Sequence, residues 1–143
     1  MNTLVILVGN VGTGKSTFCE KLKKDGRHIV CPDNYPGSLK IKQNRMIREI
    51  EQGLDINKYV VLDGNTLSAR ARDKLLYFSK KKGCKSIVFD FGPGNDITLT
   101  RRINSNKDLT PEEWTSIHER NQYEYEKPDL KEGFDRIVRK KCY

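Results

Sequence analysis

Gly9-Asn10-Val11-Gly12-Thr13-Gly14-Lys15-Ser16-Thr17 is the stretch whose reading decides the fold. It has the form G-x-x-x-x-G-K-S. Before it runs Leu4-Val5-Ile6-Leu7-Val8, an apolar run with the pattern of a buried strand. After it, Ser16-Thr17-Phe18-Cys19-Glu20-Lys21-Leu22 reads as the opening of a helix. Strand, glycine loop and helix in that order make a phosphate cradle. The glycines let backbone N–H groups curl around phosphate oxygens with no Cβ in the way. The helix N-terminus adds partial positive charge. Gly9, Gly12, Thr13, Gly14, Lys15, Ser16 and Thr17 are therefore the expected binders of a nucleoside triphosphate. Lys15 is expected on the β- and γ-phosphates and Ser16 on Mg²⁺. The competing reading is a chance glycine turn, which the flanking strand and helix disfavour.

The chain has 143 residues, enough for one domain with a real core, so a single domain over residues 1–143 is expected. Hydrophobic residues make up 36% and charged residues 32%, the balance of a water-soluble globular protein. No apolar run approaches the roughly 18 residues of a membrane span. The N-terminus lacks a basic region and cleavage site, so no secretory signal and no membrane partner are expected. Cys19, Cys31, Cys84 and Cys142 show no metal-ligand spacing. They fit reduced thiols in a cytoplasmic protein. Lys and Arg number 27 against 19 acids, a net charge of +8, which favours a polyanionic partner. The excess clusters at Lys40, Lys42, Arg45 and Arg48, and at Arg70, Arg72, Lys74, Lys80, Lys81, Lys82 and Lys85. Lys80-Lys81-Lys82 before Gly83 also suits a plain helix C-terminus.

Further strands are expected near residues 28–31, 58–63, 85–91 and 134–139. Helices are expected up to residue 24, after Ser38, over 68–82, over 96–103 and over 110–126. Thr110-Pro111-Glu112-Glu113 is a strong helix start, with Thr as cap and Pro first. Residues 139–143 read as a loose tail. Strands that alternate with helices, and are apolar on both faces, predict an α/β fold. Its five-stranded parallel sheet would carry helices on both faces. Ligands of such sheets sit beyond the carboxyl ends of the strands. That rule selects residues 9–16, Asp33, Asp63 and residues 90–94.

Phosphoryl transfer needs positioning, charge neutralisation and a group to take a proton. Asp33 lies just past a strand end, between Pro32 and Pro36. It stands as a general base or as a turn-forming Asp, and its position favours the base. Asp63 ends an apolar strand. It reads as a contact to Mg²⁺ waters or to the acceptor, or as a turn residue before Gly64. Asp90 reads better as structural. Arg101 and Arg102 close a short helix, either as ordinary C-terminal cations or as part of a mobile segment that swings an Arg onto the phosphates. His28 and His118 read as isolated, with His118 on the surface. Trp114, Tyr123 and Tyr125 read as core packing of the last helix rather than as stacking platforms for bases.

In this order the features resemble the P-loop kinase domain of the polynucleotide 5′-hydroxyl kinases of bacteriophage and mammals. Four stretches carry the resemblance besides the loop: Asp33-Asn34-Tyr35-Pro36; Val60-Val61-Leu62-Asp63-Gly64-Asn65-Thr66 followed by Ser68-Ala69-Arg70-Ala71-Arg72; Arg102-Ile103-Asn104-Ser105-Asn106; and the closing stretch from Tyr125 through Pro128, Glu132, Gly133 and Phe134 to Ile137. The likeness covers nearly the whole chain. It implies the P-loop kinase fold, ATP and Mg²⁺ as cofactors, and transfer of the γ-phosphate to a hydroxyl of DNA or RNA. By the same resemblance the catalytic residues are Lys15, Asp33 as base, and Arg102 as a lid arginine. Asp33, Asp63, Asn65 and Arg70 fall to the acceptor. Two positions depart from the pattern. Asn106, beside Lys107, replaces the second lid arginine. Pro36 stands where phage members carry an acceptor-binding Arg. The phosphatase and ligase modules often fused to such kinases are not expected in so short a chain. Three acceptors stay open: a 5′-hydroxyl end, a hydroxymethylated base within DNA, and a small nucleoside or nucleotide. A nucleotide-binding switch with no acceptor is the reading of a different class.

Overall fold

β1 (Thr3–Gly9) takes the centre of the sheet because both of its faces are apolar and every residue in it is buried. In a computed structural model, which describes residues 2–140, the remaining elements follow in regular alternation. They are α1 (Lys15–Lys24), β2 (His28–Val30), α2 (Leu39–Ile56), β3 (Tyr59–Asp63), α3 (Ala69–Lys81), β4 (Lys85–Gly92), α4 (Asp96–Ser105), α5 (Pro111–Glu124) and β5 (Arg136–Arg139). Short 3₁₀ turns occupy Pro32–Asn34 and Leu130–Glu132. The five strands are ordered β2-β3-β1-β4-β5 and every pairing is parallel. The expected α/β class and five-stranded parallel sheet are thus met.

The period-two geometry of a strand divides β1 between two cores. Leu4, Ile6 and Val8 pack with Ile50 and Leu54 of α2 and Leu75 and Leu76 of α3. Val5 and Leu7 pack on the other face with Cys19, beside Phe18 and Leu22 of α1. Each fully buried Leu or Ile contributes about 1.5–3 kcal/mol, so these two layers dominate the stability. Helix starts are set locally. Ser38 accepts from the Ile41 N–H and Ser68 from the Ala71 N–H. Thr110 and Glu113 form the reciprocal capping box, with Pro111 at the first helical position. Asn95 and Thr98 form a second such box at the start of α4.

Two buried polar clusters tie the later chain to the sheet. The Arg72 side chain is fully buried and meets Glu132 at 2.9 Å. It also donates to the carbonyls of Thr66, Leu67 and Glu126. Arg72 therefore holds the fold, whereas its neighbour Arg70 stays exposed. Asp90 accepts from the Gly92 N–H, the Tyr125 hydroxyl and Arg139, which fits its structural reading. Arg139 is consequently the last residue of β5 and no part of a tail. Cys142 and the rest of that expected tail beyond Lys140 lie outside the described residues.

The aromatic residues of the last helix divide. Trp114 is buried and donates its indole N–H to the Asn106 carbonyl at 3.1 Å. Tyr123 is 91% exposed, contrary to the expected core packing, because helical spacing puts it off the face of α5 that buries Trp114 and His118. No helix among the described residues is long and apolar enough to cross a membrane.

Candidate active site

The phosphate loop begins where the ladder between β1 and β4 shifts register, between Val8 and Gly9. A Cβ on Gly9 would stand 2.7 Å from the Phe91 Cβ, so only glycine lets the chain leave the sheet there. Gly12 and Gly14 have φ of 75° and 99°, the left-handed region that L side chains avoid. Thr13 is buried and donates its hydroxyl to the Asn10 carbonyl at 2.6 Å. Its side chain shapes the loop, so any phosphate contact it makes comes from its N–H. α1 starts at Lys15 with Gly14 as its cap, no side-chain cap and no acid in its first turn. Its N-terminal N–H groups and partial positive charge remain available to an anion. Ser16 and Thr17, in the same turn, are exposed.

Asp63 ends β3 opposite this turn. Its carboxylate lies 3.6 Å from Lys15 Nζ and accepts from the Cys19 thiol at 3.5 Å. Burial and the adjacent Asp63 charge push the Cys19 thiol up to about 12, so it stays protonated and donates. Ser16 and Asp63 line one wall of a pocket together. A hydroxyl and a carboxylate are hard oxygen donors, the kind Mg²⁺ takes alongside waters and substrate phosphates. The residues present therefore fit that ion.

Asp33 sits in the 3₁₀ turn after β2, where Pro32 takes the first position. It is exposed, and its carboxylate accepts no hydrogen bond from another described residue. It lies where two cavities meet. One cleft, of about 260 Å³, is lined by Gly9, Lys15, Asp33, Asp63, Asn65, Arg120 and Asn121, among others. The second, of about 240 Å³, lies between α2 and α3. Asp33 and Asn65 belong to both. The second cavity has an apolar lining from Leu39, Met46, Ile47 and Leu75, and carries the cations Lys42, Arg70 and Lys74. The predicted residues Lys15, Asp33, Asp63, Asn65 and Arg70 are thus gathered around one pair of cavities.

Arg102 stands apart from them. Its guanidinium lies over the Trp114 ring, 5.2 Å from the centroid, and its Nε is buried without a hydrogen-bond partner. Its Cβ would be 3.4 Å from a Cβ on Gly12, and Arg101 reaches the Gly12 carbonyl at 3.4 Å. Both arginines flank the outside of the phosphate loop, and Arg102 does not line the cleft that holds Lys15 and Asp33.

Sequence reading missed two residues of α5. His118, expected at the surface, is 2% exposed, with Nε2 3.0 Å from the Thr98 hydroxyl. That hydroxyl already donates to the Asn95 carbonyl, so the imidazole donates from Nε2. Burial lowers the His118 pKa, against the raising influence of Asp96 and Glu119. Arg120, two residues further along α5, lines the cleft. No local pattern marks either residue. Their placement follows from Asn10, whose side chain bonds the His118 carbonyl at 2.9 Å and the Asn121 amide at 3.0 Å.

No family model matches the chain, and no curated protein matches it. Solved structures do. The structure of a fungal RNA kinase aligns with 100% of this chain and 77% of its own, at 21% identity and a TM-score of 0.73. A gluconokinase from Sinorhizobium meliloti 1021 aligns with 96% of this chain and 81% of its own, at 18% identity and a TM-score of 0.61. Kti12 from Chaetomium thermophilum, solved with ADP-AlF3, aligns over 96% and 88%, at 14% identity and a TM-score of 0.64. The fold these comparisons define is that of the P-loop kinases.

Proposed function

We propose that the chain is a single-domain, ATP-dependent kinase of the cytoplasm that phosphorylates a hydroxyl of a nucleic acid, most simply the 5′-hydroxyl end of DNA or RNA. The observation that carries this reading is Asp33, a carboxylate without a partner among the described residues, on the wall shared by the phosphate-loop cleft and the α2–α3 cavity. A nucleotide-binding switch needs only the cleft. A group transfer needs a donor site, an acceptor site and a proton acceptor between them. The apolar lining of the second cavity suits a base or sugar face. Lys42, Arg70 and Lys74 suit the phosphodiester beyond it. The net charge of +8 and the likeness to a structure described as an RNA kinase support the same acceptor class.

In this reading the loop N–H groups and Lys15 hold the triphosphate, and Ser16 with Asp63 holds Mg²⁺. Bound there, Mg²⁺ supplies positive charge to the β- and γ-phosphate oxygens. Asn65 and Arg70 orient the acceptor. Its hydroxyl oxygen forms the new bond to the γ-phosphorus, the bond from that phosphorus to the bridging oxygen breaks, and ADP leaves with the electron pair. The hydroxyl proton passes to the Asp33 carboxylate. Arg102 would have to leave the Trp114 ring to serve the phosphates as a lid arginine.

The test is transfer of labelled γ-phosphate from ATP to four acceptors. These are a 5′-hydroxyl oligonucleotide, its 5′-phosphorylated form, DNA with hydroxymethylated bases, and free nucleosides. Label on the first alone is expected. Label on internal hydroxymethyl groups or nucleosides, with the plain 5′ end ignored, would move the acceptor assignment. Label on none would overturn the kinase reading.

A further inference from the structure

The phosphoryl group in flight carries negative charge on three oxygens, and a cleft that accelerates transfer meets it with cations from more than one side. Among the residues lining the cleft that holds Lys15 and Asp33, the cations are Lys15 and Arg120. Lys15 rises from α1 and is already steered by Asp63 at 3.6 Å. Arg120 comes from a different element, α5.

Three features make Arg120 more than a surface arginine. Its backbone is anchored, since Asn10 binds the His118 carbonyl on one side of it and the Asn121 side chain on the other. His118 is locked in turn onto Thr98 of α4, so this part of α5 is a strut fixed to the phosphate loop. The Arg120 side chain itself is uncommitted. It makes no hydrogen bond or ion pair with another described residue, although Glu119 adjoins it and Glu124 lies one turn on. It also shares its cleft with two carboxylates, Asp33 and Asp63, without pairing with either. Arg102, by contrast, is stacked on Trp114 outside the cleft.

We propose that Arg120 grips the γ-phosphoryl group within the cleft that it shares with Lys15 and Asp33. The proposal rests on the kinase reading for its rate effect but not for its binding effect. The planar guanidinium fork matches two oxygens of one phosphate, which an ammonium cannot do. The division of labour that follows is simple: Lys15 and the loop N–H groups serve the triphosphate from the loop side, and Arg120 serves the transferring group alone.

The test compares the wild-type chain with Arg120→Ala and Arg120→Lys. Affinities for ATP and for ADP are measured by calorimetry, and single-turnover transfer to a 5′-hydroxyl oligonucleotide is followed separately. Arg120→Ala is expected to weaken ATP about tenfold, leave ADP within about twofold, and slow transfer about 10²- to 10³-fold. Arg120→Lys is expected to restore much of the ATP affinity and little of the rate. Unchanged ATP affinity in the Ala variant would overturn the proposal. So would equal weakening of ATP and ADP, which would mark a general electrostatic or structural effect. If the wild type transfers phosphate to no acceptor, the kinase reading fails. The ATP-against-ADP comparison still decides whether Arg120 meets the γ-phosphate.

Discussion

Three aspartates lie near the carboxyl ends of strands, Asp63 closing β3, Asp33 after β2 and Asp90 two residues inside the end of β4, and their partners separate their roles. Asp90 is saturated by Gly92, Tyr125 and Arg139. Asp63 is shared between Lys15 and Cys19. Asp33 is uncommitted and stands at the junction of two cavities. A carboxylate that must accept a proton and a substrate hydroxyl is best left in the third condition. His118 is the opposite case, a titratable group consumed by structure. Its pKa is lowered in the fold by burial, so the unfolded chain takes up the proton first. Stability is then unaffected above the unfolded value near 6.5 and falls as pH drops from there through the folded pKa. The gap in melting temperature between wild type and His118→Asn should narrow between pH 8 and pH 5, since the variant lacks this pH-linked loss. A gap that widens would show that the imidazole is charged in the fold.

At the scale of elements, what was legible in the sequence was local. Ser38, Ser68 and Thr110 cap helices because a hydroxyl reaches an N–H three residues on, and that geometry is written in adjacent residues. The turn at Leu130–Glu132 was not legible, because Glu132 answers to Arg72, sixty residues away. That pair joins α3 to the segment before β5 and fixes Thr66 and Leu67 at the cavity walls. Removing one partner of a buried pair leaves a charge without compensation. Glu132→Ala should therefore cost about 3 kcal/mol in urea unfolding, at the low end for such pairs because three carbonyls still receive Arg72. A loss below about 1 kcal/mol would place the pair among ordinary surface ion pairs.

At the scale of the molecule, parallel topology converts strand ends into a site. The rule that ligands lie beyond those ends selects Lys15, Asp33 and Asp63 from the sequence alone, and the structure gathers all three on one cleft. It did not bring in α5, because no strand end points to it. Arg120 reaches the cleft through the Asn10–Asn121 contact, which spans 111 residues of sequence. Arg102, singled out by its place in the sequence, stands outside the cleft for a related reason: the choice between Trp114 and the cleft is a tertiary one. In the proposed kinase, Asp33 connects a donor cleft to an acceptor cavity. Its most direct test is the single-turnover rate of phosphate transfer from ATP to a 5′-hydroxyl oligonucleotide by wild type and Asp33→Asn, with ATP affinity measured on both. A rate lower by about 10²- to 10⁴-fold is expected in the variant, with ATP affinity nearly unchanged. Equal rates would contradict it, and would leave the junction of the two cavities without a chemical role.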